Sequence, residues 1–383
     1  MQNILPWMRR EELENRNFGL DLFRFLAITL VLIDHTMLGL CKPEHNLRAF
    51  EDYLGLIGVD LFFVLSGFLI GTILVKIHDK TTHTTFKNVK SFWVRRWFRT
   101  LPNYLLVLII YLVVYSLCKL YIPFYKLPLY LVFLQNCFST QPGFFGVAWS
   151  LSIEEWFYLS FPIILLFYQL FIPRDKKKSI FVTIATFIVG CLLLRFAWMH
   201  FDYRGWDEGF RKQMPLRLDS ICMGVLAATV KYYYQKTWDT NKNKMIVFGL
   251  LLFTLCTTIV YRFFLYGEVM KTNLFMDTLY FTIMSFAIAL LIPFVSAIKT
   301  PRFNFIKYTI TYISIISYSV YLIHTIISYL VPRYFAGKVA PIVQAVMIWG
   351  ITIIISHVIY NLFEKRITKL RNNYSDKKEP AAA

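Results

Sequence analysis

Apolar stretches long enough to cross a lipid bilayer recur along the whole chain, and they constrain the fold more than any other feature. A helix that crosses the hydrocarbon core needs about 20 mainly apolar residues. Hydrophobic residues make up 57% of the 383 positions, above the share typical of soluble proteins. The pattern predicts an all-α polytopic membrane protein with about ten transmembrane helices, at roughly 18–40, 54–76, 100–122, 150–172, 178–199, 215–232, 245–264, 273–297, 308–331 and 341–363.

The net charge of +18 is distributed unevenly between the two sides of the predicted membrane. With the amino terminus in the cytoplasm, most of the 41 Lys and Arg residues fall in cytoplasmic segments and at inner span ends. This is the positive-inside asymmetry of membrane proteins, and it puts both termini in the cytoplasm. Because most aromatic residues lie within the spans, and not on a basic surface, no nucleic-acid partner is expected.

Composition divides the chain into three predicted parts. These are a short cytoplasmic lead at 1–17, a transmembrane domain at 18–364 and a basic cytoplasmic tail at 365–383. The tail ends in an alanine triplet that is typical of a cloning remnant. The first span carries three charged residues and lacks a small-residue cleavage site, so it is predicted to be a retained helix and not a signal peptide. No appended soluble domain is expected.

Two segments outside the ten spans have an unusual composition. Residues 77–99 combine basic and aromatic side chains, which suits a helix lying on the inner membrane surface. The apolar segment from Leu127 to Phe138 is too short to cross a bilayer and is followed by a turn-rich stretch. We predict that it forms a short re-entrant or interfacial piece.

Arg24 and His35 lie eleven positions apart within the first predicted span. Eleven residues of α-helix make just over three turns, so the two side chains share one face, about 16 Å apart along the axis. A cation and an imidazole aligned in lipid are costly unless they face a wet cavity or a substrate path. The pair therefore indicates a functional face on this helix.

Ionisable residues of five predicted helices fall at similar depth, in the outer half of the membrane. Each one alone has an ordinary structural explanation, such as an interfacial carboxylate or a hydrogen-bonded histidine. Their convergence is what indicates a polar site, since such groups in lipid usually face a water-filled cavity. The members of this predicted outer layer are His35, Asp60, Glu154, Glu155, Arg217, Asp219 and His324.

A second group, made of arginines, is predicted near the cytoplasmic side. Arg24 lies in the inner third of the first span, and Arg95, Arg96 and Arg99 lie at the inner end of the third. Arginines at such positions commonly extend toward the headgroups, and Asp21 is spaced to pair with Arg24. The functional interpretation is an anion site, because guanidinium groups bind phosphates well.

These residues fall in six sequence blocks that follow one another along nearly the whole chain. The blocks are Arg24 with His35, 58–70 (GVDLFFVLSGFLI), 95–104 (RRWFRTLPNY), 149–158 (WSLSIEEWFY) with Pro162, 217–219 with Gly224, and 317–324 (SYSVYLIH). Together they resemble the signature blocks of acyltransferase family 3, a family of membrane-bound O-acyltransferases. Six blocks in order make a specific match. Trp156 and Thr100 stand where the family commonly has Gln and Ile, and both departures are expected to lie away from the chemistry.

The resemblance implies an integral membrane O-acyltransferase in the bacterial inner membrane. Such an enzyme moves an acyl group, commonly acetyl, from cytoplasmic acyl-CoA to a hydroxyl of an extracytoplasmic or membrane-linked glycan. Acyl-CoA is then the donor substrate, and no metal is expected. The implied partners are membrane lipid and a glycan or glycolipid acceptor.

The candidate catalytic residues centre on His35. An imidazole has a pKa near neutrality, so His35 is the candidate general base. By depth, Glu155, Glu154 and Asp60 are candidates to orient it. Asp34 is expected to point away, because consecutive helical residues do not face each other.

The remaining candidates would bind the two substrates. Arg24 and the arginines Arg95, Arg96 and Arg99 would hold the phosphates of the donor. The candidate substrate-binding residues are Arg217, Asp219, His324, Ser66 and Tyr158. Ser66 is also a candidate nucleophile for a covalent relay, although helical serines more often bond to their own backbone.

Two other classes of membrane protein were weighed against an enzyme. A secondary transporter for a glycan unit or small solute would also show about ten spans and buried charge. The chain has no detectable sequence repeat, and its polar groups gather toward one leaflet, which disfavours a transporter. A structural or sensor protein gives no reason for Arg24 and His35 to share a face.

Overall fold

The computed structural model describes residues 16–40, 45–81, 84–172, 175–201, 204–265 and 273–374, and within these ranges the chain is helical with no strands. Short 3₁₀ or π turns extend or connect several of the helices. The α-helices are α1 (Phe18–Leu40), α2 (His45–Lys80), α3 (Phe86–Leu117), α4 (Leu127–Leu131), α5 (Ala148–Phe171), α6 (Lys176–Trp198), α7 (Leu218–Tyr233), α8 (Gln235–Leu265), α9 (Tyr280–Val295), α10 (Asn304–Phe335), α11 (Pro341–Ile359) and α12 (Lys365–Tyr374).

Eight helical segments in the described part of the chain are long and apolar enough to cross a membrane. The predicted all-α, multi-span fold is therefore confirmed at this level. The two other predicted spans correspond to α1 and α7, which differ from these eight for simple reasons. Helix α1 carries Asp21, Arg24 and Asp34 within 23 residues, and α7 is only 16 residues long.

The prediction of a separate surface helix at 77–99 is wrong. Residues 77–80 end α2, and residues 86–99 are the first part of α3, which continues unbroken to Leu117. Thr85 caps α3: its side chain accepts a hydrogen bond from the Asn88 backbone, and the Asn88 side chain accepts one from the Thr85 backbone. This capping box starts the helix at residue 86. Arg96 and Arg99 consequently lie inside a long helix.

The segment from Leu127 to Phe138 does not form a spanning helix, as predicted. After the five-residue α4 the chain runs as a loop to the start of α5. Gln135 and Asn136 are fully buried in this loop, and their side-chain amides donate to the carbonyl oxygens of Ala148 (3.0 Å) and Trp149 (3.1 Å). These bonds fasten the loop to the first turn of α5.

Helix α2 lies between two hydrophobic cores. Val59 and Phe63 belong to a core shared with α3, α5 and α10, whereas Val64 and Phe68 belong to one shared with α8 and α9. Helix α2 also packs extensively against α1 and α7. Asp60, in the middle of α2, is therefore enclosed by protein.

The contact between α2 and α7 depends on two glycines. A Cβ atom on Gly224 would lie 2.0 Å from the carbonyl oxygen of Val64, and one on Gly67 would lie 1.9 Å from that of Ile221. The two backbones therefore touch, as small residues allow at helix contacts in membranes. Ser66 is the immediate neighbour of this contact.

We expect Gly224→Ala to destabilise the protein, because the added methyl group forces α7 away from α2. Overpacking of this kind costs about 1–3 kcal/mol, and contacts with backbone atoms fall at the upper end because the backbone cannot rotate away. Denaturant unfolding in detergent measures the change. The matched control is Gly190→Ala in α6, where a Cβ would meet nothing within 4 Å. Equal stability of the two variants would contradict the close contact.

Candidate active site

A cavity of about 100 Å³ lies where α1, α2, α3, α5 and α10 meet. Its lining brings together residues that are far apart in the sequence, from position 24 to position 321. The lining includes several of the candidates named from the sequence: Arg24, Ser66, Arg96, Arg99, Glu154 and Tyr158. Arg95 is not among the described residues that line it.

Arg24 faces this cavity, while Asp21 is bonded mainly to another arginine. Arg16 donates to both carboxylate oxygens of Asp21, from Nε at 2.8 Å and from Nη2 at 2.5 Å. Nη1 of Arg24 is 3.7 Å from Asp21 and donates to the hydroxyl of Ser314 at 3.2 Å. The simple pairing of Asp21 with Arg24 is therefore only a secondary interaction.

Positive charge predominates in the cavity. Three arginines line it, at positions 24, 96 and 99, and Glu154 is the carboxylate in the lining. The guanidinium of Arg96 also lies over the Tyr158 ring, 5.5 Å from its centroid. Clustered guanidinium groups with too few carboxylates favour an anionic ligand.

A chain of three polar side chains connects α2 to α5 within the cavity. The hydroxyl groups of Ser66 and Tyr158 are hydrogen-bonded to each other, and Tyr158 donates to Oε2 of Glu154 at 3.2 Å. With the Tyr158 proton directed to Glu154, the Tyr158 oxygen is the acceptor for Ser66, and the Ser66 hydroxyl also lies within hydrogen-bonding reach of Glu154. The expectation that Ser66 bonds to its own helix is not what the structure shows.

The two glutamates lie with the arginines and not with His35. Glu154 interacts with Arg96 and Arg99, and Glu155 lies beside Thr100 and Trp97 of α3. The sequence predicted that both glutamates lie at the depth of His35, whereas they interact with residues in the first half of α3. The predicted third span began only at residue 100, so these contacts with residues 96–100 were not expected.

Thr100 itself lines the cavity, so one of the two departures from the family pattern lies at the site. Its backbone carbonyl accepts a hydrogen bond from the hydroxyl of Tyr318 at 3.0 Å. Trp156, the other departure, donates from Nε1 to the carbonyl of Phe133 at 3.1 Å and thereby contacts the loop before α5.

The carboxylate that contacts His35 belongs to the preceding residue, Asp34. Nδ1 of His35 is 3.0 Å from Oδ2 of Asp34 and 3.1 Å from the carbonyl oxygen of Val31. The expectation that Asp34 points away is wrong, because its side chain reaches across the helix surface to the imidazole. Both partners are acceptors, so Nδ1 carries a proton, and in the neutral tautomer that fits these contacts Nε2 holds the lone pair.

His324 packs against His35 with its ring at 90° and the centroids 4.7 Å apart. Nδ1 of His324 donates to the carbonyl oxygen of Tyr321 at 2.7 Å. Its Nε2 is buried and has no hydrogen-bond partner within the described part of the chain. An unpartnered buried imidazole nitrogen is costly and is typical of a site that receives a ligand or a proton.

Tyr321 connects the histidine pair to the cavity. It lines the cavity, its ring centroid is 5.7 Å from that of His324, and its hydroxyl is 2.6 Å from that of Ser150. Neither Tyr321 nor Ser150 was selected from the sequence. Both occur within the blocks 149–158 and 317–324, so block membership was the signal that could have found them.

Asp60, Arg217 and Asp219 lie in ion pairs outside the cavity lining. Arg217 donates from Nη2 to Oδ1 of Asp60, and both side chains are almost completely buried. Arg195 binds both oxygens of Asp219, at 3.1 and 2.8 Å, and Thr282 donates to the same carboxylate at 2.5 Å. These contacts join α2, α6, α7 and α9, so the three residues have evident structural partners.

The fold and the cavity define a multi-pass helical membrane protein with a buried, arginine-lined site next to a histidine pair. Comparison with known families identifies the class. A family model described as "Acyltransferase domain" matches residues 17–361. The chain belongs to this acyltransferase family, and the predicted resemblance and enzyme class are confirmed.

The curated relatives carry O-acetyltransferase names. A Staphylococcus aureus (strain COL) protein with a provisional O-acetyltransferase name is 26% identical over 367 residues, covering 92% of this chain and 57% of the relative. The O-acetyltransferase OatA of S. aureus (strain NCTC 8325 / PS 47) is 25% identical over 372 residues, with the same coverage of 92% and 57%. The peptidoglycan O-acetyltransferase OatA of Listeria monocytogenes is 30% identical over 215 residues, which cover 51% of this chain and 31% of the relative.

The chain spans little more than half the length of the first two of these relatives. No solved structure matches the chain.

Proposed function

We propose that this protein is an integral membrane O-acetyltransferase, which moves an acetyl group from cytoplasmic acetyl-CoA to a hydroxyl of an extracytoplasmic or membrane-linked glycan. The observation that carries the proposal is the cavity lined by Arg24, Arg96 and Arg99, close to two histidines with available nitrogens. The O-acetyltransferase names of the relatives support the acetyl group, and the Listeria relative supports a peptidoglycan-like acceptor.

The arginine side of the cavity would bind the donor. Guanidinium groups form charge-assisted hydrogen bonds with phosphate oxygens, and coenzyme A carries phosphates at one end and the thioester at the other. A pantetheine arm that extends from these arginines would bring the thioester to Ser66, Tyr158 and Glu154. The volume of about 100 Å³ suits a small acyl group and the neighbouring part of its carrier.

The histidine side would activate the acceptor. Nε2 of His35 is the general base, and Asp34 stabilises the imidazolium that forms when His35 takes the hydroxyl proton. His324 positions the imidazole of His35 by packing against its ring and offers Nε2 to the acceptor as a hydrogen-bond acceptor. Arg95 would act at the cytoplasmic mouth of the donor path.

The proposed topology has ten spans, both termini in the cytoplasm and a location in the bacterial plasma membrane. Helices α1 and α7 supply the ninth and tenth spans, since the enclosed polar residues of α1 avoid lipid by facing other helices. The transmembrane domain then covers 18–364, between the lead at 1–17 and the tail at 365–383. Residues 1–15 and 375–383 lie outside the described ranges. Membrane lipid and the glycan are the partners.

The direct test uses the purified protein with labelled acetyl-CoA and unacetylated peptidoglycan fragments. We expect an acetyl-sized mass increase on the glycan that depends on both the protein and acetyl-CoA. Mass spectrometry of the glycan measures it. A glycan that stays unmodified under every donor and acceptor condition would overturn the proposal.

We expect Arg24→Ala to raise the KM for acetyl-CoA by roughly 10- to 100-fold, because a hydrogen bond to a charged group contributes about 1.5–3 kcal/mol. Isothermal titration or steady-state kinetics measures the change. The control is Arg302→Ala, which removes an exposed arginine away from the cavity. An unchanged KM in Arg24→Ala would exclude this residue from donor binding.

A further inference from the structure

We propose that Ser66 is acylated during the reaction, so that the acyl group rests on the protein as an oxygen ester before it reaches the acceptor. The inference rests on the proposed acyl-transfer function and adds a covalent step to it. It depends on the juxtaposition of Ser66, Tyr158 and Glu154 in the cavity.

The direction of the Ser66 hydroxyl distinguishes it from several other hydroxyl groups of the helices. Hydroxyl side chains in these helices commonly donate to the carbonyl four residues earlier, as Thr72, Thr183 and Thr229 do at 2.8–2.9 Å. Such a bond directs the hydroxyl proton to a backbone carbonyl, which does not act as a base. Ser66 instead bonds to Tyr158 of another helix, so its oxygen faces the cavity.

Tyr158 and Glu154 provide a path for the proton of Ser66. A serine hydroxyl is a weak nucleophile unless a base takes its proton as it attacks. Tyr158 accepts from Ser66 and donates to Glu154, so a proton that leaves Ser66 is matched by one that arrives on the carboxylate. Arg96 over the Tyr158 ring stabilises the negative charge that develops on the phenol oxygen.

The location of Ser66 in the cavity also favours its acylation. Ser66 lines the same cavity as the three arginines, so a thioester whose carrier is held by these arginines meets Ser66 before it meets His35. Arg24 and His35 are separated by about 16 Å along α1. An acyl group that rests on Ser66 allows donor and acceptor to react in turn, without both being aligned at once.

The first step is an acyl exchange from sulfur to oxygen. Oγ of Ser66 attacks the carbonyl carbon of the thioester, the new C–O bond forms and the C–S bond breaks. The proton of Ser66 passes to Tyr158 as the proton of Tyr158 passes to Glu154. The leaving thiolate takes this proton from Glu154, so coenzyme A departs as the thiol and the carboxylate is restored.

The second step is a transesterification. The acceptor oxygen attacks the ester carbon, its proton moves to His35, and the bond from the acyl carbon to Ser66 breaks. The departing serine oxygen takes a proton from Tyr158, which regains one from solvent through Glu154, and His35 releases the acceptor proton to solvent. No oxidant, metal or further reactant enters either step.

The experiment incubates the purified full-length protein with radiolabelled acetyl-CoA and no acceptor, followed by an acid quench. We expect one acetyl group per chain at most, located by mass spectrometry on the peptide that contains Ser66. Ser66→Ala should carry no label, and the control Thr72→Val should carry the wild-type amount. Addition of the glycan should discharge the label onto the glycan.

A second variant, Ser66→Cys, keeps the test informative if Ser66→Ala does not fold. In Ser66→Cys the acetyl group would be held as a thioester, which neutral hydroxylamine cleaves readily, whereas the wild-type oxygen ester requires alkaline hydroxylamine. This change in lability assigns the label to residue 66. Tyr158→Phe should slow the labelling at least 10-fold without a change in the dissociation constant of coenzyme A, and Glu154→Gln should also slow it at least 10-fold.

The outcomes separate this inference from the proposed function. A label on another residue, or acetylation of the glycan by Ser66→Ala at the wild-type rate, overturns the Ser66 ester and leaves the acetyltransferase function standing. An ester on Ser66 that no glycan discharges supports the covalent step and contradicts the glycan acceptor. A wild-type protein that forms neither ester nor product overturns both.

Discussion

His35→Ala should lower kcat for glycan acetylation by about 10²- to 10⁴-fold, the range that a positioned general base contributes. The KM for acetyl-CoA should stay within about twofold of the wild-type value, because the donor phosphates are held by arginines on the other side of the cavity. Steady-state kinetics with varied donor and a fixed glycan concentration measures both quantities. If the covalent step operates, the variant still acquires the Ser66 ester and fails to discharge it.

The control for this variant is His200→Ala, which removes an exposed histidine at the end of α6. It should leave kcat unchanged. His324→Ala should give an intermediate decrease, because it removes the ring that packs against His35 but not the base. Wild-type kcat in a folded His35→Ala protein would refute the general-base role.

The second large effect concerns stability. Arg217→Met should lower the free energy of unfolding by about 3–5 kcal/mol, because it leaves the buried carboxylate of Asp60 without its cation. Oδ2 of Asp60 lacks a hydrogen-bond partner in the described structure, so the carboxylate depends on the bond from Arg217 to its other oxygen. Denaturant unfolding in detergent, together with the yield of monodisperse protein, measures the loss.

The double variant Asp60→Asn with Arg217→Met distinguishes a structural pair from a catalytic one. It removes both charges, so it should recover most of the lost stability, as neutral replacements of buried ion pairs do. Recovery of stability together with activity would mean that Asp60 and Arg217 hold α2 against α7. Recovery of stability without activity would restore the catalytic role first assigned to Asp60.

The helical membrane fold could be predicted from the sequence because apolar length and charge asymmetry are local properties. The limits of α3 could not, since the basic and aromatic residues at 86–99 suit a surface helix as well as the start of a long one. The unbroken run of α3 from Phe86 to Leu117 decides between these alternatives. The capping box at Thr85 and Asn88 marks only the start of the helix, and in the sequence it is a short polar motif of low specificity.

The candidate site was predicted in its residue types and only partly in its arrangement. Arg24, Arg96 and Arg99 do share one cavity, and His35 and His324 do meet. The predicted depth of each residue in the membrane could not show which partner each charged side chain contacts. It therefore missed the contact of Asp34 with His35 and the relocation of Glu154 to the arginines, because both depend on side-chain direction and on where neighbouring helices start.

The backbone contact at Gly67 and Gly224 limits how the acyl-group specificity of such a protein can change, in evolution or by engineering. Ser66 adjoins the point where α2 and α7 cannot separate, so that wall of the cavity is rigid. The rest of the lining includes the side chains of Leu151 on α5 and Tyr321 on α10, which substitution can shorten. We therefore expect that smaller residues on α5 and α10 would allow the cavity to accept acyl chains longer than acetyl. The glycine pair keeps the wall formed by α2 in place, so the cavity cannot be enlarged on that side.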